Sequence, residues 1–453
     1  MKKASAKSAT PKPKKEGPRS SAHGVCWNLG DLYKDLKDKQ IESHYQTALK
    51  RAREFEKKYK GKLAPKPKLS GKQLGQMVQE YEEILMLRDR PHIYAHLLFA
   101  SDTQNPDYGR KLREMQNRST EITKHLIFVD LEWCAVADAD AKKLLADAAV
   151  KKYRHYLEAS RRYKPHLLSE AEEKVIDEIE NTGSRAFTRL FDELLGAMNF
   201  TVKVKGETRT MSEQEALSLL YNPDRDTRQA AAQALTEGFK AGLKPITFIF
   251  NTLVDHHTVV DRLRSYADPM ASRNLSNDIE PKTVDALLKT CDANTGLVSR
   301  YYKLKAKLLG LKKLYDYDRY APISADMPSC SWAESKELII DAYREFSPEL
   351  GRIVEEFYRK NWIDAELRPG KRGGAFCAGT TPDVHPYILT NYSDKLRDAV
   401  TMAHELGHGV HQYLSRKQGY LQSDTPLTLA ETASVFGEML TFHRLMGRQT
   451  NPA

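Results

Sequence analysis

Nothing in this chain is apolar for long. The best stretch, PITFIFNTLV at 245–254, is half the roughly 20 residues a bilayer span needs, and mean hydropathy is −0.60. A membrane protein is excluded on that reading. The N-terminus opens Met1-Lys2-Lys3 but never supplies the apolar core of a secretory leader. Its serines and single acid suit a transit peptide while its lysines and prolines do not, so residues 1–23 read as a disordered basic tail. Cysteine is sparse as well. Cys26, Cys134, Cys291, Cys330 and Cys377 form no CxxC pair and are odd in number, which argues against a disulfide framework or a thiolate zinc site. A reducing, cytoplasmic setting follows.

Positive charge is abundant but badly distributed for a nucleic-acid binder. Of the net +10, residues 1–20 carry +6 and residues 50–72 carry +8, so the remainder of the chain is net −4. Two basic runs on a mildly acidic body read as solvated surface and tail, and no nucleic-acid partner is expected. A length of 453 residues with 40% hydrophobic content suffices for two or more packed domains.

The dominant period is helical. Leu74, Met77, Tyr81, Ile84 and Leu85 recur at three- and four-residue spacings. Ser169 with Glu172 and Ser212 with Glu215 have capping-box spacing, predicting helix starts near 170 and 213. Between them FTVKVKGETRTM alternates and turns at Gly206, a short hairpin and a plausible boundary. The predicted organisation is an N-terminal helical lobe over 24–200 and a catalytic lobe over 201–453. Residues 369–392 are too rich in Gly and Pro for helix, and strands are predicted at 375–377 and 387–392.

Helix resumes with Ser393 as the expected N-cap and Asp394 in the first turn, and it carries His404-Glu405-Leu406-Gly407-His408. Histidines four apart on a helix share a face and can meet one metal. Glu405, turned about 100° from His404, falls beside that metal rather than on it. A second helix is predicted from Thr425 and Pro426 to Gly447. Glu431, 23 residues after His408, can return to the same metal and complete a His2Glu set. Glu438, about two turns on, can accept a hydrogen bond from a ligand imidazole. The bland alternative is an acidic stripe on a solvated helix; Ala430, Ala433, Phe436 and Gly437 look packed instead.

The segments MAHELGHGVHQYLS and LAETASVFGEML, with NPDRDTRQAAAQAL (222–235) and GAFCAGTTPDVHPYILTNYSDKLRDAVTMAHE (374–405), resemble the thimet oligopeptidase and oligoendopeptidase F family of zinc metallopeptidases, and most of all its oligoendopeptidase F branch. The resemblance extends over nearly everything after residue 24. It implies a mainly α, two-lobed oligopeptidase with a deep central channel and a small β-sheet beside the active-site helix. One Zn2+ would be bound by His404, His408 and Glu431, with Glu405 as general base and Glu438 orienting the ligands. The substrates would be short oligopeptides cut at internal bonds.

The strand segment supplies the expected substrate cleft, Gly374, Ala375, Phe376, His385 and Tyr387, where a peptide backbone could add as a strand. The family also places a histidine and tyrosines for the oxyanion, and a further helical block, downstream of the second zinc helix. Fifteen residues follow Glu438, so the chain reads as C-terminally truncated against that pattern. Two rivals stand beside the endopeptidase: a truncated or inactive zinc-binding homologue, and a zinc carboxypeptidase with the same ligands. His256, His257, His411 and His443 are read as structural or surface histidines, and Cys377 as a small hydrophobe.

Overall fold

The structure, a computed structural model, describes residues 20–324 and 329–448. Most of the expected basic tail, residues 1–19, therefore lies outside the described residues. Its last residues are docked rather than free: Ala22 is fully buried, and the Ser21 backbone N–H donates to Asp394 Oδ2 at 2.9 Å.

Helices dominate. Lys39–Tyr59 (α1), Gly71–Ser101 (α2) and Pro106–Thr123 (α3) pack side by side. Ser70 and Gln73 close a capping box at the start of α2, and Leu74, Met77, Tyr81, Ile84 and Leu85 are all buried, as their spacing predicts. Capping boxes also form at Ser169–Glu172 and Ser212–Glu215. Between those two helices Phe200–Val204 (β1) pairs antiparallel with Glu207–Met211 (β2), the predicted hairpin. Its turn puts Lys205 at φ 49° and Gly206 at φ 81°, the left-handed pair a two-residue hairpin needs. Among the described residues no strand precedes Phe200.

A second sheet has the order β3-β5-β4: Ile363–Asp364 (β3) runs parallel to Tyr387–Leu389 (β5), and Phe376–Ala378 (β4) pairs antiparallel with its other side. Buried Lys371 fastens this sheet to its loop. Its ammonium donates to the carbonyls of Asp364, Glu366 and Thr390 and lies 2.7 Å from Asp364 Oδ1. Beneath lies a core that crosses the expected boundary at 200. Leu29, Tyr33, Tyr94 and Phe99 join one hydrophobic cluster with Tyr343, Phe357, Ile388 and Met402. The N-terminal segment thus helps build the floor under the motif helix.

Candidate metal centre

The motif helix runs Leu396–Ser415, starting two residues later than Ser393 as N-cap would set it. Asp394 sits at φ 62°, and the Asp398 carboxylate accepts from the backbone N–H groups of Ser393 and Lys395 and from the Ser393 hydroxyl. That carboxylate ties down the incoming chain, so Lys395 takes the capping position. The second helix spans Leu427–Arg448, with the Pro426 carbonyl accepting from Leu429 and Ala430; it therefore begins just after the expected Thr425–Pro426 start and runs past Gly447.

These two helices cross very closely, and glycine is the reason. A Cβ on Gly407 would lie 2.4 Å from the Ala433 carbonyl oxygen and 2.7 Å from Ser434 Cα. One on Gly437 would lie 2.9 Å from the Ala403 carbonyl oxygen and would overlap Tyr343 Oη, which donates to that same carbonyl at 2.9 Å. Sequence reading assigned Gly407 and Gly437 no such part. The available signal was that an interior helical Gly costs about 1 kcal/mol against Ala, so two in adjoining helices invite a packing explanation.

The crossing places Glu431 Oε2 3.2 Å from His404 Nε2 and 3.5 Å from His408 Nε2. Among the described residues these three form the group whose donor atoms, all within 4.8 Å of one another, could hold a metal. Two ligand atoms at 2.0–2.1 Å from a tetrahedral zinc lie roughly 3.3 Å apart, so the observed separations fit such an ion. Glu438 Oε2 lies 3.3 Å from His404 Nδ1, which leaves Nε2 for the metal side. The Ser434 hydroxyl donates to Glu431 Oε2 at 2.5 Å and holds that carboxyl below its usual range, while burial lowers His408. Charged carboxylate and neutral imidazole are the ligating forms.

Glu405 is 6% exposed, and its Oε2 is buried without a hydrogen-bond partner. Burial pushes its carboxyl up to about 7, with His404 opposing and Glu431 adding to the rise. A buried acceptor with no partner beside two imidazoles can accept a proton.

The expected cleft residues divide. Gly374 is exposed at φ 77°, and with Ala375 it borders a cavity of about 400 Å³ that reaches Thr401 on the motif helix. Phe376 is half-buried on β4, the outer strand of its sheet. His385 and Tyr387 face the core instead. The His385 ring stacks on Trp362 at 3.6 Å and its Nε2 meets Asp31 Oδ2 at 2.9 Å; Tyr387 is fully buried. Tyr387 opens β5, the middle strand of the sheet, and His385 lies just before it, packed against Trp362 and Tyr387. Phe436, read as packed, is 43% exposed, whereas Gly437 is buried as read. His256 and His257 pair with Glu180 and Asp261.

Helices bearing HExxH and a returning glutamate bring together a His2Glu donor set that could hold a metal. The sequence model of Peptidase family M3 matches residues 218–452, more than half of the chain, and that of Oligopeptidase F matches 132–200. The chain belongs to Peptidase family M3. It is 26% identical over 421 residues to Oligopeptidase PepF of Bacillus subtilis, covering 91% of this chain and 61% of that protein. It is also 26% identical over 431 residues to an oligoendopeptidase F homolog of Lactococcus lactis, covering 93% and 70%. The chain thus spans about three fifths of the length of the Bacillus subtilis relative. Among solved structures it shares its fold with PZ peptidase A with inhibitor 2 (TM-score 0.71, 17% identity, 90% of this chain and 68% of that one). It does so too with oligoendopeptidase-F from Enterococcus faecium (TM-score 0.65, 20% identity, 91% and 68%).

Proposed function

We propose that this protein is a zinc endopeptidase that hydrolyses internal bonds of short, unfolded peptides. His404, His408 and Glu431 would hold one Zn2+, and Glu405 is the general base. The observation that carries the reading is the pair of 3.2 and 3.5 Å separations from Glu431 to the two imidazoles, with the unpartnered Glu405 Oε2 beside them. When bound, zinc polarises a carbonyl and brings the pKa of water to about 7.

Glu405 takes the proton of the attacking water at Oε2 and passes it to the departing amine. Its buried position keeps bulk water from competing for that proton. Glu438 fixes the His404 ring through Nδ1, and Ser434 keeps Glu431 charged. The outer edge of β4 offers main-chain groups to which an extended peptide can add, a mode tolerant of many side chains. Helical walls facing each other across a channel would restrict entry to unfolded chains. A cytoplasmic location belongs to the same proposal; five unpaired cysteines support it, and no described helix is long and apolar enough to cross a membrane.

The test combines elemental analysis with an internally quenched peptide whose fragments are identified by mass spectrometry. One zinc per chain, chelator-sensitive cleavage at an internal bond, and loss of 10²–10⁴ in rate in Glu405→Gln with zinc retained are expected. Zinc without turnover would establish the binding-only reading, and release of terminal residues alone the carboxypeptidase. Near-native turnover in the Gln variant would refute Glu405 as base.

A further inference from the structure

The two helices of the metal centre are joined by residues 416–426, and this segment is seated on the N-terminal helices. Tyr420 and Leu421 pack against the hydrophobic cluster that holds Val78, Tyr81, Val150 and Tyr153. The Tyr420 hydroxyl donates to Asp89 Oδ2 at 2.7 Å. Gln422 donates through Nε2 to the Lys152 carbonyl and accepts at Oε1 from the Tyr156 N–H at 3.3 Å.

At the centre of the seat is Glu82, a buried side chain of α2. Its Oε2 accepts from the Lys152 ammonium at 3.0 Å and from the Tyr153 hydroxyl at 2.8 Å, and its Oε1 accepts from the Leu421 N–H at 3.2 Å. A buried carboxylate is costly unless its oxygens are engaged, and the joining segment supplies the donor to Oε1. Burial pushes this carboxyl up, but Lys152, Tyr153 and the Leu421 N–H outweigh it and hold Glu82 below the usual range, in its charged form. Gly419 is fitted to the same carboxylate. It sits at φ 89°, and a Cβ there would lie 2.6 Å from Glu82 Oε1.

The seat bears on where Glu431 lies. No residue from Leu427 to Ala433 is buried, and the glycine crossing begins only at Ala433 and Ser434, so about two turns of the second helix enter the site with little packing of their own. Thr428 adds one bond, its hydroxyl donating to the Asn277 carbonyl at 2.8 Å. Glu431 is on this thinly held stretch, ten residues after Leu421. We propose that Glu82 is a positioning residue for the metal centre: by clasping the Leu421 N–H it fixes the entry of the second helix, and with it the Glu431 carboxylate, against His404 and His408. The N-terminal helices thus complete the centre without supplying a ligand. The inference rests on the zinc reading.

The test pairs two measurements on the full chain. One is zinc affinity by competition against a chelator, under conditions where the chain is fully folded; the other is hydrogen exchange over residues 424–433 without metal. Glu82→Gln keeps size and loses charge. Whichever way its amide turns, Nε2 meets a donor, the Leu421 N–H or the Lys152 ammonium. Zinc binding should weaken about tenfold and exchange over 424–433 should quicken. Gln422→Ala loosens the same seat from the loop side with the buried carboxylate left in place, and it should move both readouts in the same direction even if Glu82→Gln fails to fold. Glu132→Gln is the control. That carboxylate clasps a different loop, accepting from the Gly61 N–H at 2.6 Å and the Leu63 N–H at 3.1 Å. Its loss should lower the unfolding midpoint while zinc affinity and exchange over 424–433 stay at wild-type values. Wild-type zinc affinity in a folded Glu82→Gln or Gln422→Ala chain overturns the inference whether or not exchange changes, and so does an equal loss in Glu132→Gln; in each case the zinc reading stands. Absence of zinc binding by the wild type overturns the zinc reading and the inference with it.

Discussion

Gly407→Ala is the sharpest perturbation of the helix crossing that assembles the centre. The new methyl carbon would lie 2.4 Å from the Ala433 carbonyl oxygen, where ordinary contact begins at 3.4 Å, so the second helix must retreat by about 1 Å. The obstacle is backbone, which has no rotamer to change. Ligand distances in a metal site hold within about 0.2 Å, and Glu431 is only two residues from Ala433 on the helix that moves. Zinc affinity should therefore fall by at least the 10- to 100-fold typical of lost outer support. Overpacking costs about 1–3 kcal/mol, against about 1 kcal/mol gained from replacing a helical Gly, so stability should fall or at best break even. Competition against a chelator gives the affinity, and thermal unfolding of the metal-free chain gives the stability. Gly447→Ala is the control: its Cβ would meet nothing within 4 Å, so the propensity gain should appear alone and zinc binding should not change. Wild-type zinc affinity in Gly407→Ala would refute the account of the crossing.

Three other outcomes are expected. Glu438→Gln should weaken zinc by about 10–100-fold, by isothermal titration, because it removes the carboxylate facing His404 Nδ1 while keeping shape. Lys371→Met should cost about 1–3 kcal/mol in urea unfolding, since it strips three carbonyls of their donor while Arg368 still pairs with Asp364 through both carboxylate oxygens. For His96, burial and then Arg372 lower the ring's pKa from 6.5 to about 4. Its folded value lies below its unfolded one, so the stability it contributes is fully present above pH ~6.5 and is lost as pH falls toward about 4, by up to about 3 kcal/mol. His96→Gln should flatten that part of the stability profile, as followed by denaturant midpoints between pH 7 and 4.

Local signals were legible wherever one segment decides the outcome. Ser169 and Ser212 begin helices because their partners lie three residues on, and Gly206 turns a hairpin because its left-handed φ is a local demand. The shared face of His404 and His408 was legible for the same reason, since they lie four residues apart on one helix. His385 and Tyr387 could not be read this way. Tyr387 is buried because β5 lies between β3 and β4, and His385, just before β5, because it stacks on Trp362; β3 and Trp362 both come from a segment more than twenty residues earlier. Likewise the docking of Ala22 and the sharing of one core by Tyr33 and Met402 are pairings across hundreds of residues, with no local period to announce them.

The same distinction explains how the centre is held. His404 and His408 sit on a helix whose inner face, through Met402, Ala403 and Leu406, is fully buried. Glu431 rides on a helix whose other side is wet: Leu429, Val435, Phe436, Met439 and Phe442 are all exposed. The glutamate is therefore positioned through the glycine crossing, and its helix is further held by Arg444 to Asp341 at 2.9 Å and by Phe436 against Phe346. With one side exposed, the second helix is the part of the site that opens at least cost, and its amides should exchange with solvent sooner than those of the motif helix. A metal bridging the two helices adds a second fastening, so zinc should slow exchange on Leu427–Arg448 more than on Leu396–Ser415. Equal protection of both helices, with or without zinc, would mean that the protein contacts alone are enough to hold them.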